Sequence, residues 1–287
     1  MDRFSRSSTP LAAIEVARIY AVMGIQNRLR PPLEGALRGI ARVPPLTNPR
    51  VRQVLLGWWR NAKRSWRLRA ERRGSARYSR PALHNMDRRL EPYLPKRGGI
   101  FVEAGANDGY RQSNTYFLER FRGWTGVLIE PIPELAKQAQ GERPRSNVVN
   151  TALVAPDFPE ATIPIRFGGL KSAVPAGRGW EGESGFGEVW DAPYEITVPA
   201  RTLKDVLKEA GIDRVDFLSL DVEGYEPQAL AGLDLDRRAP LLILVEIVDG
   251  QEGRERVEHV LGASYEMVEQ ISPQDYLYRL IDNPTSS

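Results

Sequence analysis

Short apolar runs alternate with helix-forming segments from residue 98 onward, and this alternation constrains the fold more than any other feature. Buried strands are predicted at 99–103, 126–130, 147–154, 215–221 and 241–246. Helices are predicted between them, for example at 114–122 and 133–140. Because such units have right-handed crossovers, the pattern predicts a doubly wound α/β fold with a largely parallel sheet. Runs at 265–268 and 276–280 predict two additional edge strands.

The beginning of the chain has a different character. Residues 1–99 contain 22 Lys and Arg but 6 Asp and Glu, whereas the remainder is acidic on balance. Proline pairs at Pro31-Pro32 and Pro44-Pro45 separate stretches with helical patterns, one near residues 8–29 and one over 51–73. We therefore expect a basic, mainly helical accessory region over residues 1–97 and an α/β domain over 98–287.

Composition excludes several kinds of site. The chain has no cysteine and two histidines, His84 and His259, which excludes disulfides, thiolate catalysis and a multi-histidine metal centre. We expect both histidines on the surface. No run of about 18 uncharged apolar residues predicts a membrane-spanning helix, and the first residues do not resemble a signal peptide. These features favour a cytoplasmic protein, with attachment to the inner face of a membrane as an alternative.

The residues richest in chemistry follow the first predicted strand. Glu103 ends that strand, and Gly105 and Gly109 flank the turn after it. Glycine allows a sharp turn and a close approach of a ligand to the backbone. Glu130 ends the next strand, where an acid accepts hydrogen bonds from ribose hydroxyls in folds of this kind. The pattern predicts an adenosine-bearing ligand at the carboxyl ends of the strands.

The turn also distinguishes between two such ligands. A dinucleotide site has the pattern Gly-x-Gly-x-x-Gly, but Asn107 and Tyr110 replace its second and third glycines. Glu103 and Asp108 would repel a pyrophosphate, whereas they suit a ligand with an ammonium and a sulfonium group. S-adenosylmethionine therefore fits better than NAD. An NAD-dependent oxidoreductase and a non-catalytic binding protein with a retained fold are the alternatives.

Several segments occur in an order that resembles the FkbM-type methyltransferases. They are Phe101–Gly109 followed by Ser113-Asn114-Thr115 and Leu118-Glu119, Val127–Pro131, Asp216–Glu226 and Leu244–Glu246. The resemblance covers about residues 98–280. It implies a Rossmann-like class I methyltransferase fold with a seven-stranded sheet, so that residues 98–287 would form an S-adenosylmethionine-dependent methyltransferase domain. It also implies methyl transfer, usually to a hydroxyl oxygen of a sugar, glycolipid or secondary metabolite.

The resemblance assigns the ligand contacts as well. The methionine end of S-adenosylmethionine would lie against the first segment, its ribose against Glu130, and its adenine near the end of the third strand. The cofactor-binding residues implied in this way are Glu103, Gly105, Ala106, Asn107, Asp108, Gly109, Asn114, Glu130, Ala152, Leu153 and Asp221.

The segment Asp221-Val222-Glu223-Gly224 is the candidate for the chemistry. A hydroxyl acceptor must lose its proton, which a carboxylate base or an oxygen-ligated metal promotes. Asp221 and Glu223 would share one side of an extended segment, and we expect one of them to bind or deprotonate the acceptor. A divalent ion held by Asp221, Glu223 and Glu246 is an alternative but not the expectation. The segment lacks the Asn/Asp-Pro-Pro-aromatic loop common in methyltransferases that act on nucleic-acid bases, which disfavours that class.

Two regions remain outside these motifs. Residues 168–193 contain seven glycines and three Trp or Phe side chains, which favours a substrate lid or a flexible insertion. Residues 51–80 combine Trp58, Trp59 and Trp66 with many basic residues. This stretch could pack on the α/β domain or on a partner subunit, or bind an anionic membrane surface. It could also contact nucleic-acid phosphates, which we favour least. The sequence leaves the oligomeric state open.

Overall fold

The computed structural model describes residues 49–167, 172–173 and 194–281. It divides the chain into two units, residues 1–66 and 67–287. Within the first unit, the structure describes residues 49–66. They form the first part of helix α1 (Pro49–Arg72). The helix predicted near residues 8–29 lies outside the described residues, and so does the predicted lid apart from residues 172–173.

The second unit alternates strands and helices as expected. Its described strands are β1 (Ile100–Ala104), β2 (Thr125–Ile129), β3 (Asn147–Val149), β4 (Ala152–Leu153), β5 (Thr162–Phe167), β6 (Ser172–Ala173), β7 (Tyr194–Arg201), β8 (Phe217–Leu220), β9 (Leu242–Glu246), β10 (Tyr265–Gln270) and β11 (Asp275–Leu280). Its described helices after α1 are α2 (Met86–Arg89), α3 (Tyr116–Arg122), α4 (Pro133–Glu142), α5 (Leu203–Glu209), α6 (Glu226–Ala231), α7 (Leu235–Arg238) and α8 (Gly250–Leu261), with short 3-10 turns at Leu83–Asn85 and Gly262–Ser264.

The main sheet has seven strands in the order β10-β11-β9-β8-β1-β2-β3. All neighbours pair in parallel except β11, which is antiparallel to both β9 and β10. The chain winds outward from β1 in both directions, as in a doubly wound fold. The predicted fold is therefore confirmed. Of the two predicted edge strands, β10 lies at the edge, whereas β11 lies between β9 and β10.

A second, four-stranded sheet has the order β4-β7-β5-β6, and the sequence did not predict it. The apolar run at 147–154 therefore does not form one strand: it divides into β3 in the main sheet and β4 in the second sheet. Strands β5 and β7 escape prediction because each contains a proline, Pro164 and Pro199, a residue that normally argues against a central strand.

Apolar residues cover both faces of the main sheet. Successive side chains of a strand point to opposite faces, and Phe101 and Val102 accordingly lie in two different buried clusters. Met86, Leu90 and Leu94 belong to the same cluster as Phe101. Residues that precede the predicted α/β domain therefore complete the core on one side of the sheet.

The last turns of α1 also pack on this unit. The guanidinium carbon of Arg67 lies 3.5 Å from the ring centre of Tyr110, and Arg67 forms an ion pair with Glu142. Glu71 accepts hydrogen bonds from Tyr116 Oη at 2.9 Å and from Arg120 Nη2 at 2.7 Å. Among the described residues, we find no helix long and apolar enough to span a bilayer.

Candidate active site

A cavity opens at the carboxyl edge of the main sheet, where β1, β2 and β8 end. Such edges bind ligands in open α/β sheets. Most of the predicted cofactor-binding residues meet there. Those that line the cavity are Glu103, Gly105, Asn107, Asn114, Glu130, Ala152, Leu153 and Asp221. Ala106, Asp108 and Gly109 are not part of the lining and shape the turn from behind it.

The turn after β1 is closely packed. Gly105 has φ +83°, and a Cβ on it would lie 1.8 Å from the backbone oxygen of Asp221. Asn107 also adopts a positive φ, 51°. The Asp108 carboxylate holds the turn by accepting hydrogen bonds from the backbone N–H groups of Tyr110 at 3.0 Å and Arg111 at 2.7 Å. Asp108 therefore stabilises the turn rather than facing the cavity.

Glu130 joins the ends of β1 and β2. Its Oε2 accepts a hydrogen bond from the backbone N–H of Asn107 at 2.7 Å, and its Oε1 accepts one from that of Ile132 at 2.9 Å. Burial raises the pKa of Glu130 to about 7; these two donors oppose the rise, and the charge of Asp108 adds to it. Each carboxylate oxygen has a further lone pair for a ligand hydroxyl.

Glu103 takes part in a buried network that centres on Arg143. Its carboxylate accepts hydrogen bonds from Ser113 Oγ at 2.9 Å, Thr115 Oγ1 at 2.6 Å and Arg143 Nη1 at 3.2 Å. Arg143, which is 0% exposed, also donates to Glu119 Oε2 at 2.8 Å. Glu103 thus anchors the start of α3, and its contact with the methionine end of the ligand stays a prediction. No sequence signal indicated Arg143, which lies 40 positions from Glu103.

Asp221 lies at the floor of the cavity, with its side chain open to it. Enclosure by the surrounding protein raises the pKa of Asp221, and the nearby Glu246 carboxyl, which is hydrogen-bonded to it, raises it further. Two carboxyl groups this close cannot both ionise without strong repulsion. The repulsion therefore adds to the effect of enclosure and raises the pKa of Asp221 above the ordinary aspartate value.

Glu223 also lines the cavity, but not on an extended segment as predicted. The chain turns immediately after Asp221, and Glu223 has φ 56°. Glu226 stabilises this turn, because its Oε1 accepts hydrogen bonds at 3.0 Å from the backbone N–H groups of both Val222 and Gly224. The residue pattern does not single out Glu226, although an acid at the start of a helix often binds backbone N–H groups there.

The side of the cavity near Ala152 and Leu153 includes residues that the sequence did not indicate. Ile165 from β5 and Tyr225 from the turn after β8 lie there, and both contact the cluster that contains Ala152. They come from the unpredicted second sheet and from a turn whose shape depends on Glu226. Together they give this part of the cavity an apolar surface.

The structure does not support the metal alternative. Within the part of the chain that it describes, no group of three or more His, Asp or Glu side chains is arranged to hold a metal ion. Asp221, Glu223 and Glu246 interact electrostatically, but they do not form a ligand set.

The sheet and the cavity at its carboxyl edge define a Rossmann-like α/β protein. Within that class the chain belongs to the FkbM methyltransferases, because the model of the methyltransferase FkbM domain matches residues 103–280. The resemblance noted from the sequence is therefore confirmed, and the protein is an S-adenosylmethionine-dependent methyltransferase. No curated protein matches the chain.

Solved structures with similarity to the chain include three methyltransferases. An O-methyltransferase from Bacillus cereus in complex with SAH shares 11% identity over 77% of this chain and 91% of its own, with a TM-score of 0.42. A methyltransferase from Geobacter sulfurreducens shares 14% identity over 92% and 97%, with a TM-score of 0.39. A TehB-like SAM-dependent methyltransferase from Corynebacterium glutamicum shares 14% identity over 82% and 100%, also with a TM-score of 0.39.

Proposed function

We propose that the protein transfers the methyl group of S-adenosylmethionine to a hydroxyl oxygen of a sugar, glycolipid or secondary metabolite. The observation that carries the proposal is the Asp221 carboxyl at the floor of the cavity, beside the Glu246 carboxyl at the end of the neighbouring strand. A sulfonium is a good leaving group and needs no acid, whereas a hydroxyl acceptor needs a base. A carboxylate with a raised pKa is a better proton acceptor than an ordinary one.

The residues around the cavity have separate roles in this proposal. Glu130 accepts hydrogen bonds from the ribose hydroxyls, and Ala152 and Leu153 border the adenine. Glu103, Asn114 and the turn from Gly105 to Gly109 surround the methionine end. Asp221 removes the acceptor proton, and Glu223 contributes to the acceptor side. Alignment of the two reactants is worth about 7–11 kcal/mol in reactions of this kind, so the rigid turns contribute to rate as well as to binding.

The cavity fits such a donor on two observations. A Cβ at Gly105 would collide with the backbone oxygen of Asp221, so glycine there lets the two turns that border the cavity meet. Glu130 keeps a free lone pair on each carboxylate oxygen beside its two backbone donors, which leaves acceptors for the ribose hydroxyls. The acidic residues of the lining disfavour a pyrophosphate. The family match favours a methyltransferase over the alternative of an NAD-dependent oxidoreductase.

Calorimetric titration tests the cofactor assignment directly. We expect the protein to bind S-adenosylmethionine and S-adenosylhomocysteine at micromolar concentration and not to bind NAD. Glu130→Ala should weaken binding at least about tenfold, because a charged hydrogen bond contributes about 1.5–3 kcal/mol. Glu134→Ala, an exposed acid on α4, is the matched control. A folded protein that binds neither compound would contradict the proposal.

We also propose that residues 51–80 bring the enzyme to an anionic membrane surface. Trp66 is 54% exposed, and Arg69, Arg72 and Arg73 are exposed near it. Arg67 is excluded from this surface, because it is buried against Tyr110 and Glu142. Exposed aromatic and basic side chains together are typical of helices that lie in a membrane interface.

A further inference from the structure

A second cavity lies beside the first and shares part of its lining. Gln112, Asn114, Ser219 and Asp221 border both cavities. Away from this border, the wall of the second cavity is formed by the turn before α2, the carboxyl end of β9 and the turn between β10 and β11. Glu130, the proposed ribose-binding residue, lines the first cavity but not the second. A molecule bound in the second cavity would therefore face Asp221 from the other side.

We propose that this second cavity binds the methyl acceptor and that the acceptor is a neutral, polyhydroxylated molecule. The inference rests on the proposed function, because it requires the methyl donor to occupy the first cavity. It adds a location for the acceptor, a charge class, and a contribution from residues that precede the α/β domain.

The charge of the wall excludes anionic acceptors. Asp221, Glu246 and Asp275 lie on it, and the described part of the chain contributes no lysine or arginine to this lining. His84 is its basic side chain, and it lies near Asp275. A phosphorylated or carboxylated acceptor would place its charge among these three carboxyl groups, whereas Arg89, which acts electrostatically on Asp275, does not line the cavity. Such an arrangement selects against anions.

The hydrogen-bonding groups of the wall match hydroxyl groups. Asn114 Nδ2 donates to Ser219 Oγ at 3.0 Å, whereas Asn114 Oδ1 is buried without a hydrogen-bond partner. A buried acceptor without a partner costs free energy that a ligand hydroxyl would recover. The carboxyl groups of Asp275 and Glu246 add oxygens that accept hydrogen bonds from ligand hydroxyls.

The turn before α2 holds its part of the wall in an unusual conformation. His84 and Asn85 both have positive φ, 51° and 56°, and neither is a glycine. Consecutive residues in this region cost about 1–3 kcal/mol each, and such strain is often found at ligand-binding sites. The adjacent Leu83 and Met86 line the cavity with His84. The basic region at the beginning of the chain therefore supplies a wall of the acceptor site.

Methyl transfer in this arrangement is a single displacement at the methyl carbon. A lone pair of the acceptor oxygen forms a bond to the methyl carbon while the carbon–sulfur bond breaks. That electron pair stays on sulfur and yields S-adenosylhomocysteine. The proton of the acceptor hydroxyl passes to the carboxylate of Asp221 and is released to solvent after the product leaves.

The absence of cysteine from the chain allows a test of the charge class that needs no known acceptor. Gln274→Cys places a unique thiol at the rim of the second cavity, and Gln140→Cys places one on the exposed face of α4 as the control. Each variant is treated with neutral methyl methanethiosulfonate and anionic sulfonatoethyl methanethiosulfonate. At the cavity, the ratio of neutral to anionic reaction rates should exceed the control ratio by about tenfold. Equal ratios would overturn the charge class.

The second test measures methyl transfer from radiolabelled S-adenosylmethionine to methyl glycosides, their 6-phosphates and amino sugars. We expect transfer to neutral glycosides, with kcat/KM at least about tenfold lower for the 6-phosphates. Modification of Gln274→Cys with a bulky neutral thiosulfonate should abolish transfer and leave S-adenosylmethionine binding within about twofold. Transfer confined to charged compounds, no transfer by a protein that binds the donor, or transfer unaffected by the blocking group would each overturn the inference. Loss of donor binding in the unmodified protein would instead contradict the proposed function.

Discussion

The backbone of Asp221 lies directly against Gly105. The Asp221 N–H donates to the Ala104 oxygen at 3.1 Å, and the Asp221 oxygen would lie 1.8 Å from a Cβ on Gly105. The pairing of β1 with β8 thus continues one step beyond the strands and brings the glycine turn against the candidate catalytic acid. A residue with a side chain at position 105 would have to separate the two.

Gly105→Ala tests this contact. The new methyl group would meet backbone rather than a mobile side chain, and φ +83° is unfavourable for alanine. We expect the free energy of unfolding to fall by about 3 kcal/mol and binding of S-adenosylmethionine to be lost. Gly141→Ala is the control, because a Cβ there meets nothing within 4 Å; it should stabilise α4 by about 0.5–1 kcal/mol. Urea unfolding measures both, and similar effects of the two changes would contradict the prediction.

Binding of S-adenosylmethionine should depend on pH through Glu130. The pKa of Glu130 is raised to about 7, and the ionised carboxylate is the form that accepts two ribose hydroxyls. As pH falls through about 7, Kd should therefore rise, by at most about tenfold per pH unit. Calorimetry between pH 5.5 and 8.5 measures the dependence. The Glu130→Gln variant cannot ionise at this position. The difference between its pH profile and that of the unmodified protein therefore separates the titration of Glu130 from that of the ligand's ammonium group. Identical profiles would show that Glu130 does not cause the pH dependence.

Removal of Arg143 should destabilise the protein strongly. Arg143→Leu would leave the carboxylates of Glu103 and Glu119 buried without their cation, which costs about 3–5 kcal/mol. Arg145→Leu is the matched control, since Arg145 is exposed and bonds backbone oxygens of Glu119 and Gly123. It should change stability by less than about 1 kcal/mol. Equal losses in chemical denaturation would show that the buried network contributes little.

Asp221→Asn should slow methyl transfer far more than it weakens donor binding. The amide keeps the shape of the side chain but accepts no proton, so kcat should fall by about 10²–10⁴. The rates are measured with the most reactive glycoside from the acceptor panel, and Kd for S-adenosylmethionine is measured in parallel. Glu252→Gln, an exposed acid on α8, is the control. A loss confined to Kd would assign Asp221 to donor binding alone.

Membrane binding should depend on the exposed arginines that follow Trp66. The full-length protein should sediment with vesicles that contain phosphatidylglycerol at low salt and dissociate at high salt. Substituting Arg69, Arg72 and Arg73 with glutamine should weaken binding by about 100-fold, since each basic residue near such a surface contributes about 1 kcal/mol. Glutamine at three exposed basic residues elsewhere provides the control, at Lys204, Lys208 and Arg237. Equal sedimentation of both variants would exclude this surface.

The sequence predicted the parallel strands well because each is an apolar run that ends at a recognisable turn. It predicted the acids at the strand ends for the same reason: Glu103, Glu130 and Asp221 each follow such a run. It could not predict the second sheet, whose strands carry prolines at Pro164 and Pro199. It wrongly predicted an extended segment at Glu223. The turn that forms there is held by backbone hydrogen bonds to the Glu226 carboxylate, which the pattern of residues does not reveal.

The amino-acid sequence by itself determined the doubly wound fold, the family and the acids at the edge of the sheet, because these features are encoded by local patterns and by short motifs. The tertiary structure decided which groups meet. It paired Asp221 with Glu246, enclosed Glu103 with Arg143, and placed His84 on the wall of a cavity beside Asp221. These contacts join residues far apart in the chain, and their effects on charge and protonation arise from burial and proximity that exist only after the sheet has formed.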